Sequence, residues 1–342
     1  MPLKILFITH KFYPDIGGIE VNSEILALQF HAAGHEVEML TWTAASGDKE
    51  FPFRVIRQPN RAMLFKAHRW ADVVFENNPS LRLSWPALFF RKPIVVALRT
   101  WINRMDGSIA WQDKLKVQWL KRASGVIAVS DAIRKRCWPA AIVIGNPYRN
   151  TLFKVIAGTE RSKDFVFMGR LVSDKGADIA INAINILADK GIRKSLTIIG
   201  NGPEQTKLEQ MVTALSLTEQ VTFTGALSGE KLVQHLNQHQ YLLVPSIWEE
   251  PFGNVALEGM ACGCLPIVSD GGGLPDAVGK AGLVVKRGSV NALADSLAHL
   301  LGSSSLELEL RNAAPEHLKS HEPQKVAEEY LKVIEKAVTT LK

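Results

Sequence analysis

The clearest indication of the fold is the stretch of residues 241–263, which reads YLLVPSIWEEPFGNVALEGMACG. Its first four residues form a short apolar run and predict a buried strand. Pro251 and Gly253 are typical of a loop that becomes a helix, so Glu250 is expected before that helix and Glu258 on its second turn. A strand followed by a loop and a helix is the repeating unit of parallel α/β sheets.

The same unit recurs along the 342 residues of the chain. Short apolar runs that predict strands lie at residues 5–8, 37–40, 73–75, 94–98, 126–129, 142–144, 165–168, 196–199, 221–223, 241–244, 265–268 and 283–285. The pattern predicts an α/β protein with two doubly wound, Rossmann-like parallel-sheet domains that face each other across a cleft. We expect the domains at residues 1–155 and 156–322, and a C-terminal helix at residues 323–342.

Helical spacing of apolar residues predicts which side of several helices is buried. The residues concerned are Val21, Ile25, Leu28 and Ala32 in the first helix, Ile179, Ala183, Ile184 and Leu187 in its counterpart, and Val326, Tyr330, Val333 and Ala337 in the last.

Composition excludes several classes of protein. Apolar residues make up 46% and charged residues 22%, which rules out disordered and collagen-like chains. Three cysteines cannot build a disulfide framework, so a reducing cytoplasm is expected. The first residues lack the apolar core of a signal peptide, and no apolar run approaches the roughly 18 residues that span a bilayer.

The charge is distributed unevenly. Residues 1–150 contain 21 Lys and Arg against 12 Asp and Glu, whereas the remaining residues contain 19 against 22. A basic surface attracts nucleic acid, anionic lipid or an acidic substrate, and charge alone does not choose among them.

Two glycine-containing loops predict anion binding. Gly17 and Gly18 directly precede the first helix, where backbone N–H groups can approach an anion. Gly169, Arg170 and Lys175 follow the first strand of the second domain, and the two cations suit a diphosphate.

The Glu250 to Glu258 element could bind a sugar and a phosphate together. Its carboxylates can accept hydrogen bonds from hydroxyl groups, while the N–H groups of Phe252, Gly253 and Asn254 lie at a helix N-terminus that attracts phosphate.

These motifs, in this order and over nearly the whole chain, resemble the retaining family 4 glycosyltransferases of the GT-B fold. The resemblance is carried by Gly17-Gly18, Gly169-Arg170, Lys175-Gly176, residues 200–204 and the Glu250 to Glu258 element. It implies an acceptor-side N-terminal domain and a C-terminal domain that binds a nucleotide sugar.

The resemblance also implies roles for individual residues. Arg170 and Lys175 would hold the diphosphate of the donor, with Gly17 and Gly18 approaching it from the other domain. Glu250 would lie near the donor sugar and act with the two cations in catalysis. Further implied donor contacts are Glu258 with the ribose, the Phe252, Gly253 and Asn254 N–H groups with the sugar or phosphate, and the Val221 to Phe223 backbone with uracil. No metal-binding Asp-x-Asp motif is present, so catalysis without a metal or cofactor is expected.

One position departs from the family. Where relatives place a histidine that touches the donor sugar, this chain has Arg99. Arginine cannot serve as a base but can donate to hydroxyl groups or a carboxylate, so we expect Arg99 to bind the donor. The alternative is that its side chain points to solvent.

A further pattern concerns membranes. Trp111, Leu115 and Trp119 share a helical face beside several lysines and arginines, which indicates either core packing or contact with anionic lipid.

The sequence therefore predicts a cytoplasmic hexosyltransferase, peripheral to the membrane, that uses a UDP-sugar, with UDP-glucose as default. The acceptor is a glycan or a lipid-linked molecule, in polysaccharide biosynthesis. A UDP-sugar epimerase of the same architecture is one alternative, and a basic nucleic-acid-binding protein is another. Against the latter, no recognised nucleic-acid-binding module is present, and no nucleic acid partner is expected.

Overall fold

The computed structural model describes residues 1–15, 17–102 and 110–340 of the chain. The chain divides into two compact units, one formed by Met1–Pro147 with His321–Lys342 and the other by Tyr148–Ser320. The junctions therefore lie at 147/148 and 320/321, whereas the sequence analysis placed them after residues 155 and 322. The C-terminal helix is grouped with the first unit.

The first unit contains, within the described residues, a seven-stranded parallel sheet in the order β3-β2-β1-β4-β5-β6-β7. Its strands are β1 (Lys4–Ile8), β2 (Glu36–Thr41), β3 (Arg54–Arg57), β4 (Val73–Asn77), β5 (Ile94–Leu98), β6 (Gly125–Ala128) and β7 (Ile142–Val143). Its helices are α1 (Gly18–Ala32), α2 (Arg61–Trp70), α3 (Leu81–Ser84), α4 (Ala87–Phe90), α5 (Trp111–Leu120), α6 (Asp131–Cys137) and, from the end of the chain, α14 (Pro323–Thr340).

The second unit is built around a six-stranded parallel sheet in the order β10-β9-β8-β11-β12-β13, counted over its described residues. The strands are β8 (Lys163–Met168), β9 (Leu196–Ile199), β10 (Val221–Gly225), β11 (His239–Val244), β12 (Leu265–Ser269) and β13 (Leu283–Val285). The helices are α7 (Ala177–Asp189), α8 (Gln205–Ala214), α9 (Gly229–Asn237), α10 (Asn254–Ala261), α11 (Leu274–Val278), α12 (Val290–Leu301) and α13 (Ser304–Ser320).

The strand orders identify both sheets as doubly wound. In each, the first strand lies beside the fourth, so the chain reverses direction across the sheet at that point. Loops that follow these two strands leave toward opposite faces and open a crevice at the carboxyl edge of the sheet. The predicted fold class is confirmed, and all twelve predicted strands are present.

Helix α14 completes the core of the first unit. Tyr330 is fully buried, and its ring meets that of Phe75 from β4 at 5.8 Å between centroids. Phe75 also contacts Phe7 and Phe30, so α14 extends an aromatic cluster formed by β1, β4 and α1. The predicted apolar positions of α14 are all buried.

Helix α1 is present as predicted, but its buried side is not the one that carries the apolar residues of the predicted spacing. The residues that are buried are Asn22, Ser23, Leu26, Ala27 and Phe30, whereas Val21, Ile25 and Leu28 are partly exposed. Of the two buried polar positions, Ser23 belongs to the hydrogen-bond network described below, whereas Oδ1 of Asn22 has no hydrogen-bond partner among the described residues. In α7 the predicted positions Ile179, Ala183, Ile184 and Leu187 are buried as expected.

In the part of the chain that the structure describes, no helix has both the length and the apolar character needed to cross a membrane.

Candidate functional site

The second unit brings its predicted charged residues to one crevice of its sheet. Arg170 and Lys175 follow β8, and Glu250 follows β11, the strand that pairs with β8 where the chain reverses direction. Ligands of open α/β sheets bind at this position, beyond the carboxyl ends of the strands. The topology alone therefore groups the three residues that the sequence analysis assigned to catalysis.

Lys175 and Glu250 form an ion pair within this crevice. Their side chains are only 21% and 18% exposed, so water screens the pair less than it screens a surface pair. The same oxygen of Glu250 accepts a hydrogen bond of 3.2 Å from the hydroxyl of Ser246, a buried residue that the sequence analysis did not single out. Glu250 is thus held in place from two sides.

Backbone hydrogen bonds fix the loops that carry this pair. The carbonyl of Asp174 accepts from the amides of Ile247 at 2.9 Å and Trp248 at 3.0 Å, which joins the loop after β8 to the loop after β11. Because the connection uses backbone atoms, Lys175 and Glu250 are positioned independently of their own attraction.

Arg170 differs from Lys175 in having no partner. Its side chain is exposed and makes no ion pair or hydrogen bond with any residue in the described ranges. The preceding Gly169 donates its amide to the carbonyl of Ile199 at 3.0 Å, which anchors the loop to β9. An exposed arginine on an anchored loop can bind an anion without first breaking another contact.

Gly272 contributes to the geometry around Glu250 and was missed in the sequence analysis. Its φ of +63° lies in the left-handed region, and a Cβ at this position would collide with the backbone of Glu249 and Glu250. The neighbouring Gly273 donates its amide to the Glu250 carbonyl at 2.7 Å. The run Gly271-Gly272-Gly273 was the available sequence signal for this close approach.

Glu258 lies on α10, in the second turn as predicted, and its carboxylate has an unusual environment. Burial raises the pKa of Glu258 from 4.5 to about 7, and the positive charge of Arg149 opposes that rise. Its side chain makes no hydrogen bond or ion pair within the described part of the chain. A half-buried carboxylate without a donor is suited to accept a hydrogen bond from a ligand hydroxyl.

The loop before α10 is anchored by Phe252, which is 3% exposed. Gly253 follows with a φ of +118° and precedes the helix, and Asn254 is the first helical residue. The structure thus has the predicted loop-to-helix transition at these residues. The proposed ligand contacts of their N–H groups stay a prediction.

The Val221 to Phe223 backbone, predicted to contact uracil, lies in β10, and that contact stays a prediction. Val221 is the first residue of β10, its side chain belongs to the core, and its amide donates to the Leu217 carbonyl. The carboxyl end of the strand is Gly225, roughly 13 Å further along at the usual rise of a strand. Phe223 lies nearer to that end but packs partly against the core.

In the first unit, Gly17 and Gly18 mark the start of α1, which follows β1. Gly17 is the residue before the helix, and its carbonyl accepts the first helical hydrogen bond from Val21 at 3.1 Å. The φ of Gly17 is 177°, an extended value that any residue adopts.

Arg99 follows β5, and its side chain is buried rather than directed to solvent. It is 5% exposed, donating from Nε to Asn77 Oδ1 and from Nη1 to Asn146 Oδ1, both at 2.6 Å. Its guanidinium carbon lies 5.2 Å from the centre of the Tyr330 ring. The predicted solvent-facing alternative is therefore wrong. Nε and Nη1 are engaged by the first unit itself, whereas Nη2 is buried without a hydrogen-bond partner among the described residues.

Asn77 links Arg99 to the start of α1. Its Nδ2 donates to the hydroxyl of Ser23 at 2.7 Å and lies 3.4 Å from the carbonyl of Ile19, both on α1. At the other end, the Asn146 carbonyl contacts Nδ1 of His321 at 2.8 Å. A buried polar network thus connects α1, β4, the end of β5 and the segment before α14.

The tryptophans of α5 separate into a buried one and an exposed one. Trp119 is 5% exposed, and its Nε1 donates to Glu76 at 2.7 Å. Trp111 and Leu115 are 67% and 48% exposed. Core packing, one of the two predicted roles, therefore applies to Trp119. Trp111 and Leu115 lie at the surface, where contact with lipid stays a prediction.

No cluster of three or more His, Cys, Asp or Glu side chains able to hold a metal occurs in residues 1–15, 17–102 and 110–340. Catalysis without a metal stays a prediction.

The two doubly wound sheets define a GT-B protein, and comparison with solved structures agrees. HepE from Anabaena, solved in complex with UDP, has a TM-score of 0.80 to this structure over 97% of this chain and 100% of that chain. Sequence identity is 20%, so this likeness shows the fold alone.

Residues 149–317 match the model of the family described as glycosyl transferases group 1. A 2-deoxystreptamine glucosyltransferase of Streptomyces kanamyceticus is 35% identical over 138 residues, which are 40% of this chain and 35% of that protein. A D-inositol 3-phosphate glycosyltransferase of Corynebacterium jeikeium is 32% identical over 184 residues, 51% of this chain and 44% of that protein. The matches thus span between a third and a half of these relatives.

Proposed function

We propose that the protein is a retaining, metal-independent hexosyltransferase that moves a sugar from a UDP-sugar to a glycan or lipid-linked acceptor in polysaccharide biosynthesis. The observation that carries the proposal is the crevice of the second unit, where the unpartnered Arg170 lies on the same loop as the Lys175 that pairs with Glu250. Two cations on anchored loops suit the diphosphate of a nucleotide sugar. The half-buried Glu258 suits a ribose hydroxyl.

UDP-glucose is the proposed donor. In support, HepE was solved with UDP and the Streptomyces kanamyceticus relative is named a glucosyltransferase.

In the proposed reaction, the bond between the anomeric carbon and the β-phosphate oxygen of the donor breaks. The acceptor oxygen forms a new bond to the same carbon on the same face, and its proton passes to the departing phosphate. Arg170 and Lys175 stabilise the negative charge that develops on the leaving UDP, which is the largest contribution usually made by such sites. Glu250 positions Lys175 and lies near the sugar.

The test is incubation of the purified protein with radiolabelled UDP-glucose, UDP-glucuronate and GDP-mannose, with and without a glycan acceptor mixture. Transfer or slow hydrolysis of the UDP-sugar is expected, and both should persist in EDTA. Recovery of an isomerised nucleotide sugar would favour the epimerase. Loss of activity in EDTA with rescue by magnesium would contradict the metal-free mechanism, and turnover of GDP-mannose alone would contradict the donor.

We also propose that the protein acts in the cytoplasm at the inner face of a membrane, through the basic first unit. The observation that favours this is the exposed side of α5, which carries Trp111, Leu115 and the exposed Lys114. Exposed aromatic and basic side chains on one helix are suited to an anionic lipid surface.

A further inference from the structure

A cavity of about 790 Å³ opens in the first unit. It is lined by Trp42, Pro59, Asn60, Arg61, Leu64, Arg82 and Trp85. Its volume lies in the range of roughly 300–1,000 Å³ that is usual for small-molecule sites.

The lining residues come from three loops at the carboxyl edge of the sheet. Trp42 follows β2, Asn60 and Arg61 follow β3, and the segment with Arg82 and Trp85 follows β4. Strands β2 and β4 flank β1, whose loop carries Gly17 and Gly18, and β3 lies beyond β2. The amide of Trp42 donates to the His10 carbonyl in that loop at 3.1 Å, so the cavity wall is joined to the loop.

Both arginines of the cavity lack an acidic partner. Arg61 and Arg82 are exposed, and neither forms an ion pair with a carboxylate in the described ranges. Two uncompensated cations in one concave site favour an anion with two or more acceptor oxygens, such as a phosphate or carboxylate.

The tryptophans of the cavity favour a ligand that also has an apolar face. Trp42 and Trp85 are partly exposed in the cavity, and the guanidinium carbon of Arg82 lies 5.3 Å from the centre of a Trp42 ring, which holds both side chains in place. Phe65 and Phe89 support Trp85 with edge contacts at 5.2 and 6.0 Å between centroids. Rigid indole rings present flat apolar surfaces, which pack against the C–H faces of a pyranose.

We propose that this cavity binds an anionic saccharide, with the sugar ring against Trp42 or Trp85 and its phosphate or carboxylate between Arg61 and Arg82. The assignment of this saccharide as the acceptor rests on the proposed function. It narrows the acceptor from glycans in general to those that carry a negative charge close to the accepting sugar.

Binding is tested by calorimetry on the full chain without any nucleotide, with trigalacturonate against maltotriose and glucose 6-phosphate against glucose. At least one anionic probe should bind about tenfold more tightly than its neutral counterpart, and that advantage should shrink as salt rises. The probe that binds distinguishes a carboxylate from a phosphate.

Alanine variants test whether the probe binds in this cavity. R61A should weaken the anionic probe about tenfold and leave the neutral probe unchanged. R82A should weaken the anionic probe by at least as much and the neutral probe slightly, because Arg82 also holds Trp42 in place. At least one of W42A and W85A should weaken both probes. K66A and R69A remove exposed cations of α2 that do not line the cavity, and they should leave the Kd within about twofold.

Three outcomes would overturn the proposal. They are failure of both anionic probes to bind at millimolar concentration, equal loss of binding in K66A and R61A, and displacement of the probe by UDP. The proposed function is judged separately, because UDP binding in the same samples depends on the second unit. Saccharide binding without turnover of any UDP-sugar would defeat that function and leave the cavity assignment intact.

Discussion

Replacing Arg170 or Lys175 by alanine is expected to slow transfer in both cases but to lower the thermal stability in only one. Either change should raise the barrier to transfer by about 2.7–4 kcal/mol, because a charge that stabilises the leaving group is lost. Only Lys175→Ala should also lower the Tm, since it leaves the Glu250 carboxylate without its cation. The measurements are kcat/KM for UDP-glucose and thermal unfolding.

Lys190→Ala is the matched control for both variants, because Lys190 is exposed and pairs only with Asp295 at the surface. Near-normal turnover in Arg170→Ala and Lys175→Ala would remove both residues from the diphosphate site.

Glu258 should make UDP affinity depend on pH. With a pKa of about 7, its carboxyl is mostly protonated at pH 6 and mostly charged at pH 8. A charged acceptor binds the ribose hydroxyl more strongly, so affinity should fall as the pH drops through 7. Calorimetry with UDP at several pH values measures the effect.

Glu258→Gln separates this effect from the titration of UDP itself, since UDP is identical in both experiments.

The raised pKa of Glu258 also makes the stability of the protein depend on pH. The folded protein binds the proton more tightly than the unfolded chain, so wild-type stability should decline as the pH rises from 4.5 to 7, and less so in the variant. Identical pH profiles of UDP affinity for wild type and Glu258→Gln would show that Glu258 does not contact the nucleotide.

Arg99→Ala tests whether this arginine stabilises the first unit or binds the donor. The change leaves the buried amide oxygen of Asn77 without its donor, at a cost of about 1–3 kcal/mol, and removes the hydrogen bond to Asn146. We therefore expect a lower Tm and an equal loss of kcat/KM with UDP-glucose and UDP-glucuronate. An unchanged Tm with an altered ratio between the two donors would instead support the donor contact that the sequence predicted.

At the scale of elements, Gly272→Ala should damage the crevice through the backbone. The new Cβ collides with the loop that carries Glu249 and Glu250, so Glu250 is expected to move and transfer to fall by more than about tenfold. Gly288→Ala is the matched control. It has a similar φ of +71°, with nothing within 4 Å of the added carbon, and carries only the left-handed backbone penalty of about 1–2 kcal/mol. Equal activity in the two variants would show that the close approach at Gly272 is dispensable.

The elements that the sequence predicted well are those whose burial is uniform. Central parallel strands such as β8 and β11 are covered on both faces and read as continuous apolar runs. The missed strand β3 is an edge strand with arginine at both ends, so only two of its four residues are apolar. Its composition resembles a loop, and its pairing with β2 is a tertiary interaction that local sequence does not show.

The site was predictable where chemistry follows a strand end, and not where it depends on long-range contacts. Arg170, Lys175 and Glu250 directly follow strands and were found. Ser246 and Gly272 act through the position of Glu250. The environment of Arg99 required residues from β4, the region after β7 and α14, which are distant in sequence. Its neighbours could not be read from the residues beside it.

For the whole molecule, the basic first unit should associate with anionic liposomes. Binding should fall steeply as salt rises, because the Debye length is only about 8 Å at physiological ionic strength. Trp111→Ala with Leu115→Ala should reduce partitioning at low salt, as both side chains are exposed beside lysines. Co-sedimentation with neutral and anionic vesicles measures the effect.

Leu308→Ala is the control for that experiment, because Leu308 is 59% exposed but lies in the second unit. Equal partitioning onto neutral and anionic vesicles would contradict the electrostatic proposal.

The junctions at 147/148 and 320/321 impose an order of events during translation. The second unit consists of one uninterrupted stretch, whereas the first unit receives Tyr330 and the rest of α14 only after residues 148–320 have been made. During translation, the second unit is therefore complete before the first unit. Phe75 gains its contact with Tyr330 only when synthesis is nearly finished. Domains fold as units when their cores are available. The amino-terminal sheet accordingly spends most of synthesis with part of its apolar surface uncovered.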